Sequence, residues 1–152
     1  MNYEVQEGEI LLFITNKHRT DDIVRALGAE CLEKDGQGAP VLKGSDLFVS
    51  LSHKGDVLVF AVSKKDVGVD VEDTTVPRNV ERLSKLFHIS EKPTDLYGFY
   101  KIWTKKEAEG KRLRTGITTD ILREASPEGK YFEQGDYLIC VMGEGAVRVI
   151  EA

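Results

Sequence analysis

The sequence predicts an α+β fold in which two similar halves, 1–66 and 67–152, share one compact globular unit. Three observations lead there. The 152-residue chain is long enough for one domain or for two small fused halves, each with part of a core. Short apolar runs and alternating stretches, the signature of strands, occur on both sides of segments whose apolar residues recur with a helical period. No linker or low-complexity segment separates independent domains. No repeat is visible at the residue level, yet the coarse order of strand, helix and strands recurs and allows a duplicated unit.

The elements follow in order. Glu9 to Ile14 is a continuous apolar run, most simply a buried strand. Thr20 is placed to cap a helix whose first turn carries Asp21 and Asp22, and Ile23, Leu27 and Cys31 share one of its faces. Lys34 to Gly44, rich in glycine and polar residues and holding Pro40, reads as a loop. Three strands follow at Leu47–Ser52, Val57–Ser63 and Val67–Glu72, with Gly55-Asp56 as a turn between the first two. Arg78 to Leu86 is helical by period, with Val80, Leu83 and Phe87 as its stripe. After Pro93, Thr94 is placed to cap a long helix from about Asp95 to Arg112 that carries Leu96, Phe99 and Trp103. The last third alternates again at Tyr131–Phe132, Tyr137–Met142 and Ala146–Ile150.

Composition narrows the function classes. With 41% hydrophobic and 31% charged residues, the chain reads as an ordinary soluble protein. No apolar run approaches the roughly 18 residues a membrane span needs. The acidic N-terminus lacks the basic start and apolar core of a signal peptide, so the expected compartment is the cytoplasm. Cys31 and Cys140 lie far apart with no Cys-x-x-Cys spacing, and both read as small buried hydrophobes rather than a disulfide or zinc site. A formal net charge of −5 argues against a general nucleic-acid binder. Residues 101–114 are nevertheless locally basic, with Lys101, Lys105, Lys106, Lys111, Arg112 and Arg114 against Glu107 and Glu109.

The chemistry-bearing residues are split along the chain. Asp70 and Glu72 are two apart, so a strand places both carboxylates on one face and Val69 and Val71 on the other. Adjacent acids repel unless a cation, a proton or a basic group lies between them. Magnesium suits such a pair, since it takes a few carboxylates and fills its other positions with water and phosphate oxygens. Taken alone, Asp-x-Glu also describes solvated acids on a half-exposed strand. In the long helix Trp103, Glu107 and Lys111 recur every four positions on one side, and Lys101, Lys105 and Arg112 fall on the solvent side. Glu107 and Lys111 alone would be a surface i,i+4 pair. A Trp103 that packs inward draws both toward the interior or a cleft. Ser52-His53 closes a strand, and a histidine there is placed to donate a charge-assisted bond to phosphate.

Together, Ser50-Leu51-Ser52-His53, Gly68-Val69-Asp70-Val71-Glu72, Phe87 with Glu91, and Trp103-x-x-Lys106-Glu107-Ala108-x-x-Lys111 followed by Gly116-Ile117 resemble the 4'-phosphopantetheinyl transferases. The likeness is to the branch that activates carrier proteins of peptide and polyketide synthesis, and it covers about residues 38 to 117. The resemblance implies a pseudo-twofold fold in compact form and a set of residue roles. Asp70, Glu72 and Glu107 would hold Mg²⁺ against the pyrophosphate of coenzyme A. Ser52, His53 and Lys111 would contact the coenzyme A phosphates. An acyl or peptidyl carrier serine would attack the β-phosphate, with Glu107 as base and Lys111 neutralising the departing 3',5'-ADP. The family often carries Gly-Lys-Pro ahead of the Ser-His segment, where this chain reads Gly38-Ala39-Pro40, so a phosphate contact is missing or comes from Lys43, Lys17 or Arg19. Since the His-bearing and Asp-x-Glu-bearing halves occur in one chain, a monomer is expected, and the net charge and the lack of a long apolar run lead us to expect neither a nucleic-acid nor a membrane partner. Two other classes remain open: a metal-dependent nuclease or phosphodiesterase, and a non-catalytic module that binds coenzyme A or a carrier protein.

Overall fold

The first apolar run forms β1 (Glu9–Thr15), an inner strand of a four-stranded sheet that is buried on both faces. The computed structural model describes residues 2–151. In this sheet β4 (Phe48–Lys54) pairs antiparallel with β5 (Val57–Ser63), β5 pairs antiparallel with β1, and β9 (Ala146–Glu151) adds in parallel on the other side of β1. A second sheet is antiparallel throughout, in the order β6 (Val67–Asp73), β8 (Tyr137–Gly143), β7 (Lys130–Gln134). A small hairpin of β2 (Cys31–Lys34) and β3 (Pro40–Lys43) stands apart. The helices are α1 (Thr20–Ala26), α2 (Val80–Ser84), α3 (Leu96–Arg112) and α4 (Thr119–Arg123), giving a mixed α+β fold. Among the described residues no helix is long and apolar enough to cross a membrane.

The layers follow from strand alternation. Leu11, Phe13, Phe60 and Val62 face α1, where Ile23, Val24 and Leu27 cover them. Ile10, Leu12, Ile14, Val59 and Ala61 point the other way and meet Val67, Val69, Val71, Ile139 and Val141 of the second sheet. The far face of that sheet carries Leu138, Cys140 and Met142 under Phe99, Tyr100 and Ala108 of α3. The order is helix, sheet, sheet, helix. The adjoining edges of the two sheets are joined by hydroxyls: Ser50 Oγ accepts from Val69 N (3.1 Å) and Ser52 Oγ from Val71 N (3.2 Å). These serines satisfy amides of β6 that have no strand partner on that side.

Several expectations are corrected. The loop expected over Lys34 to Gly44 contains β3, and Cys31 is exposed on β2 instead of buried on a helix face. Asp95, not Thr94, caps α3, its carboxylate accepting from Gly98 N at 2.7 Å. The helix expected from Arg78 to Leu86 is only Val80–Ser84, and α4 was not expected at all. β9 crosses from the second half to pair with β1, so the two halves share a sheet across residue 66. Lys105 and Arg112 do not face solvent freely. Lys105 lies 3.4 Å from Glu91, and Arg112 pairs with Glu109 and, at 2.9 Å, with Asp66.

Candidate functional site

The site begins with a close approach. A Cβ added to Gly68 would sit 1.9 Å from the carbonyl oxygen of Ala108 and 2.6 Å from the amide of Arg112. Only glycine lets α3 lie this close to β6. The same alternation that sends Val69 and Val71 into the inter-sheet core turns Asp70 and Glu72 to the helix side. At the end of α3 the chain folds back, and Thr115 N and Gly116 N both donate to Gly110 O at 3.1 Å.

Asp70 is 5% exposed. Its Oδ1 accepts from Ser52 Oγ (3.1 Å) and lies 3.6 Å from Lys111 Nζ, while its Oδ2 is buried with no hydrogen-bond partner. Burial pushes the Asp70 carboxyl up to about 7; Lys111 opposes that rise, and Glu72 and Glu107 add to it. Glu72 is paired with Lys54 Nζ at 3.1 Å, and that bond raises the Lys54 pKa. Half-buried Glu107 is also pushed up by burial, with Lys111 pulling the other way and Glu72 adding to the rise. Lys111 Nζ donates in addition to Leu51 O at 3.0 Å. Asp70, Glu72 and Glu107 therefore share one electrostatic neighbourhood.

Among the described residues no three His, Cys, Asp or Glu side chains form a closed metal-holding group. Lys54 instead pairs with Glu72, and Lys111 with Asp70. The residues still fit Mg²⁺. The orphaned, buried Asp70 Oδ2 is open to a cation, and carboxylate oxygens suit magnesium.

The other expected contacts are distributed differently. Ser52 serves Asp70 and the Val71 amide rather than an open pocket. His53 follows it on β4, so alternation turns it to the opposite face, where it is exposed. Lys43 lies near Glu30 and Glu33 (3.9 and 4.0 Å), and Arg19 pairs with Asp22 (3.3 Å) beside exposed Lys17. Beside Ala39 there is a cavity of about 360 Å³ between the β2–β3 turn, β4 and the end of α3, with Lys111 and Arg114 in its wall. Arg114 donates to Asp35 Oδ2 (3.0 Å) and Pro40 O (2.9 Å). Its own φ of 62° is left-handed, a strained conformation for a non-glycine residue.

Sequence reasoning missed Lys54, Arg78, Arg114 and the role of Lys106. Lys54 was legible, because it shares the Ser52 side of β4 by alternation. Lys106 is fully buried and donates to Glu91 Oε1 (2.8 Å), Ile121 O (3.0 Å), Glu124 O (3.0 Å) and Ser126 Oγ (3.1 Å), pinning α4 and the following chain beside Glu107. Arg78 carried no signal in the sequence. In the fold it lies 5.4 Å from the ring centroid of Phe99 and 5.2 Å from that of Trp103. No protein-family model and no curated protein matches this chain.

Proposed function

We propose that this protein is a 4'-phosphopantetheinyl transferase that moves the phosphopantetheine group of coenzyme A to a serine of an apo acyl or peptidyl carrier protein in the cytoplasm. The observation that carries the reading is the face-to-face placement of Asp70 and Glu72 on β6 with Glu107 and Lys111 on α3 around the orphaned Asp70 Oδ2. The helix–sheet–sheet–helix layering supports the internally duplicated form of that fold, acting as a monomer.

Asp70, Glu72 and Glu107 are the residues that would hold Mg²⁺, which when bound supplies charge neutralisation for the pyrophosphate. Glu107 takes the proton of the attacking serine. The serine oxygen bonds to the β-phosphorus, the bond from that phosphorus to the bridging oxygen breaks, and its electron pair leaves on 3',5'-ADP. Lys111 faces the developing charge and lines the cavity that receives the nucleotide. Arg114, on the wall of that cavity, stands in for the lysine that Ala39 lacks.

The test incubates the protein with coenzyme A, Mg²⁺ and a panel of apo carrier proteins and weighs the products. A phosphopantetheine adduct is expected on at least one carrier. Glu107→Ala is expected to lower transfer at least 100-fold with an unchanged melting temperature. No adduct on any carrier despite bound coenzyme A would leave the non-catalytic binding module standing instead. Mg²⁺-dependent cleavage of DNA or RNA, lost in Asp70→Ala, would favour the nuclease reading.

A further inference from the structure

Arg78 precedes α2 and is a cation of this region that the transferase reading does not use. Its guanidinium rests on the faces of Phe99 and Trp103, at 5.4 and 5.2 Å from their centroids. Those two rings are themselves stacked, 5.8 Å apart with planes 17° from parallel. A guanidinium on aromatic faces keeps its in-plane N–H donors free for a flat, bidentate contact with an oxyanion. None of the ion pairs among the described residues includes Arg78; one hydrogen bond runs from it to the Tyr100 hydroxyl, and its charge is felt by Glu107. Tyr100 Oη is anchored by donating to Val76 O at 2.6 Å, which fixes the chain just ahead of Arg78.

The position along α3 is informative. Trp103, Glu107 and Lys111 follow one another at one-turn intervals, about 6 Å apart along the axis. Arg78 sits over the Trp103 turn and Lys111 follows Glu107, so the two cations bracket the acid from opposite sides. Lys111 is committed to Asp70 and Leu51 O, and Lys54 to Glu72. Arg78 is the cation with donors to spare.

We propose that Arg78 is a substrate-binding residue whose guanidinium, carried on Phe99 and Trp103, takes pyrophosphate oxygens of coenzyme A from the side opposite Lys111. This rests on the transferase reading and adds to it a residue that the resemblance does not name.

Trp103 is the only tryptophan in the chain, so its fluorescence reports directly on the guanidinium above it. The experiment titrates coenzyme A and, separately, inorganic pyrophosphate into the wild type, Arg78→Met and Arg78→Lys, following Trp103 emission and calorimetric heat, and then measures transfer to a modified carrier. Arg78→Met is expected to weaken coenzyme A binding by about tenfold to a hundredfold and to abolish the pyrophosphate-dependent change in emission. Arg78→Lys, which keeps the charge and loses the fork, is expected to fall between. Near-ultraviolet circular dichroism and the melting temperature of each variant show whether the fold survives. A folded Arg78→Met that binds coenzyme A as tightly as the wild type overturns the assignment and leaves the transferase reading intact. So does a variant in which only the KM for the carrier rises. Should Arg78→Met fail to fold, Arg78→Lys decides: wild-type affinity together with a wild-type emission change overturns the proposal, and a loss of both supports it. A wild type that binds neither coenzyme A nor pyrophosphate overturns both readings together.

Discussion

Asp70 and Glu72 reach Glu107 and Lys111 through two regular elements whose periods are local, β6 and α3, held together by the Gly68 contact. The cavity next to them is closed in another way, by Arg114 reaching a carboxylate 79 residues back, at Asp35. The carboxylate end rests on backbone packing that no side chain can replace. The cavity end rests on a part-buried ion pair and one carbonyl contact, with side-chain exposures of 27% for Arg114 and 32% for Asp35. A rigid scaffold thus carries the acids, and a more yielding latch carries the pocket.

The largest expected effect breaks the rigid end. Gly68→Ala forces a methyl group into the Ala108 carbonyl and must push α3 away from β6. A loss of about 3 kcal/mol in stability is expected, together with loss of transfer, readable by urea unfolding and the carrier assay. A wild-type unfolding midpoint would show that α3 does not rest on β6 as described.

The next prediction concerns Asp70, whose carboxyl is raised from 3.8 to about 7 mainly by burial. Between those values the folded state binds more protons than the unfolded one, so metal-free stability falls as the pH rises through this window and stays low above it. Asp70→Asn removes that penalty. Without Mg²⁺ the variant is expected to melt roughly 5 °C above the wild type at pH 8, with the gain vanishing near pH 4. Added Mg²⁺ is expected to stabilise the wild type and not the variant. A variant less stable than the wild type at pH 8 would mean that Lys111 and Ser52 outweigh burial at this carboxylate.

The smallest effect sharpens the comparison at the cavity end. Arg114→Met is expected to weaken coenzyme A binding about tenfold while the fold is kept, since its partners are part-buried and solvent takes their place. Removing the strained left-handed side chain with Arg114→Gly relieves backbone strain and removes the cation, so affinity and stability should move in opposite directions. Calorimetry and thermal melting read the two separately.

Much of the carboxylate end was legible because alternation and helical period decide which side chains share a face. Asp70 with Glu72, Val69 with Val71, and Glu107 with Lys111 each follow from spacing of two or four residues. The same rule separates Ser52 from His53 and joins Ser52 to Lys54 along β4. The cavity end was not legible in this way. Lys43 was a reasonable choice of cation by nearness in the sequence to Ala39, yet β2 offers it Glu33 and the preceding residue Glu30. Arg114 occupies the place by the cavity because α3 ends there and its chain turns back.

What the sequence determined by itself was the set of elements with strong periods, the α+β class they imply, and the pairing of acids on β6 with an acid and a base on α3. Only the tertiary structure decided that β9 returns to β1, that the β2–β3 hairpin replaces a loop, that Lys106 is buried against Glu91, and that Arg78 lies on Phe99 and Trp103. The physical reason is range. Side-chain periodicity is a property of neighbouring residues and survives in any one-dimensional reading. The partner of a charge or of a sheet edge is chosen by packing between segments remote in the chain, where burial and hydrogen-bond satisfaction select one pairing among many.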